Sequence, residues 1–183
     1  MDALRLTGTP GRYLFTATHS VRSIRRGQPK QADMGTGGLA ETLAELTASE
    51  ALTVIGRQTG DANWDVEIGA FKQAVLARPG VIVVDLHGFR EELQDDMITG
   101  LGPAPNQAIR ELASGLVAAT TRHGLVARTG KPFDATWPGT ITATVQVAGG
   151  VALQLELGSR VRRPRTRPDA TAPMLAALLD WLA

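Results

Sequence analysis

The sequence has no cysteine, few aromatic residues, no excess of one charge sign and no long apolar run. The absence of cysteine excludes disulfide bonds and thiolate ligands, so histidines and carboxylates would have to hold any transition metal. Because 19 basic residues balance 18 acidic ones, the overall charge does not favour nucleic acid or an anionic membrane as a partner. No apolar run reaches the roughly 20 residues that cross a bilayer. These features favour a soluble, cytoplasmic protein.

The order of the apolar segments indicates an α/β fold. With 183 residues, of which 43% are hydrophobic, the chain can form a single domain over residues 1–183 with a substantial core. Apolar runs alternate with amphipathic segments of helical length, as in α/β proteins with parallel sheets. The predicted strands are residues 13–18, 51–56, 81–87, 124–129 and 151–158. The predicted helices are residues 66–77, 105–123, 172–183 and 37–46, the last with a buried face of Leu39, Leu43 and Leu46.

Two basic segments are predicted to be surface loops. Residues 159–168, SRVRRPRTRP, contain five arginines and two prolines, a composition poorly suited to a core. Clustered arginines can neutralise phosphates, but this segment has no interleaved aromatic residue, which argues against nucleic acid. Residues 20–30 form the second basic loop, and we expect its charges to be solvated.

Polar residues of catalytic type lie at the ends of three predicted strands. His19 follows the first strand, Asp85 and His87 end the third, and Glu156 lies in the last. In open α/β sheets ligands bind at the carboxyl ends of the strands. A histidine at a strand end is often an ordinary rim residue, and Glu156 could alternate outward with Gln154. Together, however, the three strand ends favour a metal site with two histidines.

The order and spacing of short motifs resemble those of the N-formylglutamate amidohydrolase family, which is similar in fold to zinc-dependent carboxypeptidases. The motifs are THS, an acidic residue before a helix, RxxxDxN, DLHG, and PGTITATV followed by ALQLELG, which together span residues 19–160. The resemblance implies a three-layer αβα fold with a mixed, mainly parallel central sheet. It also implies a zinc-dependent enzyme that cleaves an amide bond of a small acylated amino acid or peptide with a metal-activated water.

The resemblance also assigns roles to residues. It makes His19 and His87 zinc ligands, and Glu156 the general base and acid that passes a proton from water to the leaving amine. Asp33 matches the acidic position of the family and is our choice for the third ligand, although an aspartate before a helix can instead be an N-terminal cap. Glu41 is the alternative ligand, but its place on a helix with a leucine face favours a solvated position.

Asp85 is a weaker candidate for the general base. We expect it to point to the opposite face of the strand from His87. There it would orient a metal ligand or complete a buried hydrogen-bond network.

The sequence departs from the family where the substrate is recognised. The family's Asn-Arg pair reads Asn63-Trp64 here, and tryptophan cannot replace the bidentate fork with which arginine binds a carboxylate. The predicted substrate-binding residues are therefore Arg57, Asn63, Trp64 and Arg90. We expect a substrate with an apolar or aromatic group near Trp64 rather than N-formylglutamate itself. The family's Asp-x-His-Ser also reads Asp-Leu-His-Gly.

A second hypothesis is a non-catalytic binding or regulatory domain on the same fold. The missing arginine and the short chain favour it. The retention of His19, His87 and Glu156 favours the enzyme, because a binding module does not need a general base beside two metal ligands.

Overall fold

The computed structural model describes residues 3–90 and 93–183, in which strands and helices alternate along much of the chain. The strands are β1 (Leu4–Gly8), β2 (Tyr13–Ala17), β3 (Ser23–Arg25), β4 (Gln28–Lys30), β5 (Glu50–Val54), β6 (Ile82–Phe89), β7 (Met97–Gly100), β8 (Ala127–Thr129) and β9 (Val151–Gly158). The helices are α1 (Thr36–Leu46), α2 (Ala70–Leu76), α3 (Gln107–Arg122), α4 (Ile141–Val147), a 3-10 helix (Ser159–Arg162) and α5 (Pro168–Leu182). None of the described helices is both long and apolar enough to span a membrane.

Seven of the described strands form one mixed sheet in the order β1-β5-β2-β6-β9-β7-β8. The central strands β5, β2, β6 and β9 are parallel, and β8 is parallel to β7. β1 and β7 run antiparallel to their neighbours β5 and β9. β3 and β4 form a separate antiparallel hairpin. The predicted mixed, mainly parallel sheet is therefore confirmed.

Helices cover both faces of this sheet because successive residues of a strand point to opposite faces. On one face, Phe15 and Val84 belong to a core that includes residues of α1, α3 and α5. On the other face, Leu14, Val83 and Ala152 pack with residues of α2 and α4. The predicted three-layer αβα arrangement is confirmed.

The face covered by α2 and α4 becomes polar toward the carboxyl ends of the central strands. Thr16, Asp85 and Gln154 align in register across β2, β6 and β9, and His87 aligns with Glu156 two residues further on. α2 and α4 have only seven residues each, and they pack on the apolar part of this face. The end of this polar row, His87 and Glu156, lines a crevice bordered by the loops after β2, β6 and β8.

Several short elements are not predicted by the sequence, namely β1, β7, α4 and the β3-β4 hairpin. α4 lies in the threonine-rich motif PGTITATV, residues 138–145. Thr140 begins this helix, since its Oγ1 accepts a hydrogen bond of 3.0 Å from the Ala143 N–H. The predicted buried face of α1 is only partly correct, because Leu43 is buried but Leu46, the last residue of the helix, is 56% exposed.

The arginine-rich segment 159–168 is not entirely the surface loop predicted from its composition. Its first four residues form the 3-10 helix, and Arg162 is buried there. The Arg162 guanidinium donates hydrogen bonds to three backbone carbonyl oxygens, those of Met34, Phe89 and Leu157. These partners replace water around the buried charge. The loop prediction is wrong for these four residues and fits the exposed residues 163–167.

Candidate metal centre

Three side-chain atoms from separate parts of the chain meet at the carboxyl edge of the sheet. His19 Nδ1 lies 3.0 Å from His87 Nδ1 and 3.2 Å from Asp33 Oδ2, and His87 Nδ1 lies 3.3 Å from the same oxygen. All three side chains are buried. Tetrahedral ligands at roughly 2.0–2.1 Å from a zinc ion are roughly 3.3 Å from one another. This triad, His19, Asp33 and His87, therefore has the spacing of ligands and could hold a metal ion.

Hydrogen bonds on the far side of each imidazole indicate where the ring protons lie. His19 Nε2 is 2.7 Å from Asp61 Oδ1, and His87 Nε2 is 2.8 Å from Asp85 Oδ2. A carboxylate only accepts, so each Nε2 carries a proton, and in a neutral imidazole Nδ1 is then an acceptor. Two nitrogen lone pairs and a carboxylate oxygen would thus face one another with no donor between them. A cation at the centre of the triad satisfies all three.

The charges around the triad also favour a cation. Burial opposes the charged form of His87, but nearby carboxylates, chiefly Asp85 and Asp33, raise its pKa well above the ordinary value. Burial likewise opposes ionisation of Asp33, yet hydrogen bonds and charge from His19 and His87 hold the pKa of this carboxyl far below its usual range. The site therefore carries an excess of negative charge that a proton or a metal ion can balance.

Asp85 lies on the same face of β6 as His87, and the expectation that it points to the opposite face is wrong. Residues two apart in a strand share a face, and the Asp85 carboxylate contacts the His87 ring directly. Its other oxygen accepts a hydrogen bond of 2.6 Å from Thr16 Oγ1 on β2. Asp85 is thus placed to orient His87, which is one of the roles expected for it.

Asp61 contacts His19 in the same way. Its Oδ2 accepts a hydrogen bond of 2.8 Å from Arg25 Nε, and its own N–H donates to Asp65 Oδ2 at 2.7 Å. The sequence motif includes Asp61 but gives it no role. Only the fold shows that the loop after β5 returns to His19.

Asp33, and not Glu41, joins the two histidines. The Asp33 N–H donates to the His19 carbonyl oxygen at 2.8 Å, which holds the loop against the end of β2. Its carboxylate does not cap α1, which begins without a side-chain cap. Instead, its second oxygen accepts a hydrogen bond of 2.9 Å from Lys30 Nζ. Glu41 is paired with Arg5 on β1, at 3.5 Å.

Glu156 faces the same crevice as the triad. It is buried, it aligns with His87 across the β6-β9 pair, and its Oε1 accepts a hydrogen bond of 3.1 Å from Gln154 Nε2. Burial raises the pKa of Glu156 to about 7, with the charge of His87 opposing the shift and that of Asp33 adding to it. A buried carboxyl group that titrates near neutrality beside such a triad is a candidate proton carrier.

A cavity of about 500 Å³ opens onto the triad and Glu156, within the usual range for small-ligand sites. We call it the metal cavity. Its wall includes the cations Arg25, Lys30 and Arg90 and the stacked rings of Phe89 and Phe133, whose centroids are 5.6 Å apart. The basic loop after β2, expected to be solvated, instead folds into the β3-β4 hairpin and brings two of these cations to the site.

The predicted substrate-binding residues are only partly at this cavity. Arg90 lines it, whereas Arg57 is exposed in the loop after β5 and does not. Asn63 is buried, accepts a hydrogen bond of 2.8 Å from the Ile141 N–H at the start of α4, and donates to Gln154 at 3.4 Å. Its side chain therefore holds the loop in place beside Gln154.

Trp64 also lies outside the lining of the metal cavity. Its ring stacks on Trp137 with centroids 5.0 Å apart, and the Arg25 guanidinium lies 4.8 Å from its centre. Trp64 is thus placed to support Arg25. Its position does not support the predicted contact between its ring and an apolar substrate group.

No protein-family model and no curated protein matches the sequence, but solved structures match over nearly the whole chain. An N-formylglutamate amidohydrolase from Ralstonia eutropha aligns with a TM-score of 0.60 and 13% identity, covering 100% of this chain and 96% of the other. The two chains share one fold. A bacteriophage poly-gamma-glutamate hydrolase gives a TM-score of 0.65 and 17% identity, with 98% and 90% covered. A metallo-carboxypeptidase from Burkholderia cenocepacia gives 0.57 and 15%, with 98% and 59% covered. The resemblance predicted from the motifs is confirmed for the fold.

The glycine that replaces the family's serine after His87 has a structural reason. The Arg162 guanidinium packs directly over Gly88, and a Cβ at this position would lie 2.3 Å from Arg162 Nε. Glycine leaves room for this close approach. Gly88 therefore leaves the space that the buried Arg162 guanidinium occupies.

Proposed function

We propose that the protein is a zinc-dependent amidohydrolase that cleaves an amide bond of a small acylated amino acid or peptide. The observation that carries the proposal is the buried triad of two imidazole nitrogens and one carboxylate oxygen, with a carboxylate behind each imidazole. The fold relatives support it, since they include an N-formylglutamate amidohydrolase and a metallo-carboxypeptidase.

The donor set suits zinc in a catalytic rather than a structural site. Nitrogen and oxygen donors are ordinary zinc ligands, and catalytic sites use three protein ligands so that a fourth position stays open. Zinc, when bound, supplies a Lewis acid that lowers the pKa of a water to about 7. Asp61 and Asp85 would hold the two rings in orientation and keep Nδ1 deprotonated.

Glu156 is the proposed proton carrier. It would take a proton from the attacking water and deliver it to the amide nitrogen as the C–N bond breaks, giving a carboxylic acid and an amine. Its pKa of about 7 lets both protonation states exist near neutral pH. A cation in the triad would oppose this rise and lower the pKa of Glu156, which favours the basic form before water attacks.

Cations on the cavity wall are proposed to orient the substrate. Arg25 and Arg90 line the metal cavity, so either can meet a substrate carboxylate even though position 64 is a tryptophan. Arg25 is held between Trp64 and Asp61. A fixed guanidinium of this kind loses little freedom when a carboxylate binds.

The alternative is a non-catalytic binding domain, which the absence of the family's arginine at position 64 favours. Protein reconstituted with zinc, and assayed for amine release from N-formyl and N-acetyl amino acids and dipeptides, separates the two. Zinc-dependent release that a chelator stops and added zinc restores is the expected result. No release from any of these substrates at full zinc occupancy would favour the binding domain.

A further inference from the structure

The arginine-rich segment forms a wall of a second cavity that joins the metal cavity. This cavity has a volume of about 730 Å³. The two cavities share Lys30, Asp33, Gly88, Phe89 and Arg90 in their linings. A ligand bound at the triad can therefore extend into the second cavity without leaving the surface of the protein.

The charges of this second cavity are mostly positive. Its lining includes Lys30, Arg90, Arg162 and Arg163. Among the described residues that line it, the only acidic one is Asp33, whose carboxylate contacts the histidines and Lys30. A further depression, which shares Met34, Arg162 and Arg163 with it, continues to Arg165. We call this path, defined by Lys30, Arg90, Arg162, Arg163 and Arg165, the arginine groove.

Arg162 supplies a buried positive charge to the arginine groove. Its side chain is buried, and within residues 3–90 and 93–183 it forms no ion pair with a carboxylate. Its hydrogen bonds to the three backbone carbonyls fix the guanidinium, and the charges of Asp33 and Glu156 act on it without a direct ion pair among the described residues. A buried charge is costly unless an opposite charge approaches it. Because Asp33 is already paired with Lys30 and the two histidines, the fixed guanidinium can still attract an anion from outside the chain.

The groove also provides more room than the proposed reaction needs. Small ligands occupy cavities of roughly 300–1,000 Å³, so the metal cavity alone can hold an acylated amino acid. The second cavity is the larger of the two. A longer, anionic substrate would explain both the volume and the positive charge of this second cavity.

We propose that the substrate is an acidic peptide, in which the cleaved amide lies at the triad and carboxylates of neighbouring residues lie along the arginine groove. The assignment rests on the proposed amidohydrolase function, because that function makes the bound chain an amide. A nucleic acid fits the groove less well. Single strands bind by stacking bases on aromatic rings, and the aromatic residue of the second cavity, Phe89, is already stacked on Phe133.

The test measures binding separately from turnover. Zinc-loaded protein with Glu156→Gln, which should not turn over its ligand, is titrated calorimetrically with N-acetylated hexaglutamate and with N-acetylated hexaglutamine. We expect the glutamate peptide to bind at least about tenfold more tightly at low salt, and this preference to shrink as salt is added. Equal affinities for the two peptides would overturn the proposal.

Charge-reversal variants locate the binding site. Arg90→Glu and Arg163→Glu change exposed side chains, so the fold should be kept. Together they should weaken hexaglutamate binding by about tenfold or more, while Arg110→Glu on the exposed side of α3 should leave it unchanged. An equal loss with Arg110→Glu, or tighter binding of a thymidine hexanucleotide at the same site, would overturn the assignment to an acidic peptide.

The experiments distinguish an error in the proposed acidic-peptide substrate from an error in the proposed amidohydrolase function. Parent enzyme that hydrolyses neutral acyl-amino acids but shows no preference for hexaglutamate would reject the groove and keep the amidohydrolase. Groove-dependent binding of hexaglutamate without hydrolysis of any peptide would reject the amidohydrolase and leave an acidic-peptide binding site.

Discussion

Replacing Glu156 with glutamine removes a proton carrier while preserving the shape of the side chain. Within the described part of the chain, Glu156 accepts one hydrogen bond, from Gln154, and it is not among the triad that could hold the metal. A glutamine oxygen can accept the same bond, so the packing of β9 and the zinc content should stay close to those of the parent. Positioned acid–base groups contribute roughly 10²- to 10⁴-fold in rate. We therefore expect Glu156→Gln to lower kcat by at least about 100-fold.

The assay compares amine release and bound zinc in the same purified sample. Glu41→Gln is the matched control, because it makes the same chemical change in the carboxylate that was the alternative third ligand. It should leave both activity and zinc near the parent values. Parental activity in Glu156→Gln would refute the proposed proton transfer. Loss of zinc together with activity would make Glu156 a ligand and would count against Asp33.

Two further predictions concern the surroundings of the triad. Asp61→Asn and Asp85→Asn should each weaken zinc binding by about 10- to 100-fold, because each removes the carboxylate that fixes an imidazole tautomer. Competition with a fluorescent chelator measures the zinc affinity, and an unchanged affinity in both variants would contradict the prediction. Gly88→Ser should lower the free energy of unfolding by about 1–3 kcal/mol, because the added Cβ meets the buried Arg162 guanidinium. Chemical denaturation tests the second prediction, which an unchanged midpoint would refute.

The sequence predicts best the strands that consist of strong apolar runs. β9 occupies the predicted residues, and β6 begins one residue later than predicted and continues to Phe89. Because both strands are central and lie parallel to each other, their apolar composition locates them closely, although not the exact ends of β6. The strand-end pattern therefore brings His87 and Glu156 to one edge correctly. The expected direction of the Asp85 side chain was wrong because residues two apart in a strand share a face, and the sequence itself contains this information.

The elements that sequence reasoning misses depend on contacts between distant parts of the chain. An arginine in a segment of five arginines resembles a solvated residue, and only the three carbonyls around Arg162 explain its burial. Arg25 reaches the site because Asp61 and Trp64, far away in sequence, hold its guanidinium. Neither partner can be identified from local composition.

The zinc content of the protein and of its three single-histidine variants tests the proposed metal centre most directly. His123 is the matched control, since it lies at the end of α3 with its Nε2 2.7 Å from Asp180 and is not in the triad. In protein purified without added metal, we expect close to one zinc per chain in the parent and in His123→Ala, and a large loss in His19→Ala and His87→Ala. Equal zinc in all four proteins, or none in the parent after reconstitution, would contradict a metal centre at His19, Asp33 and His87.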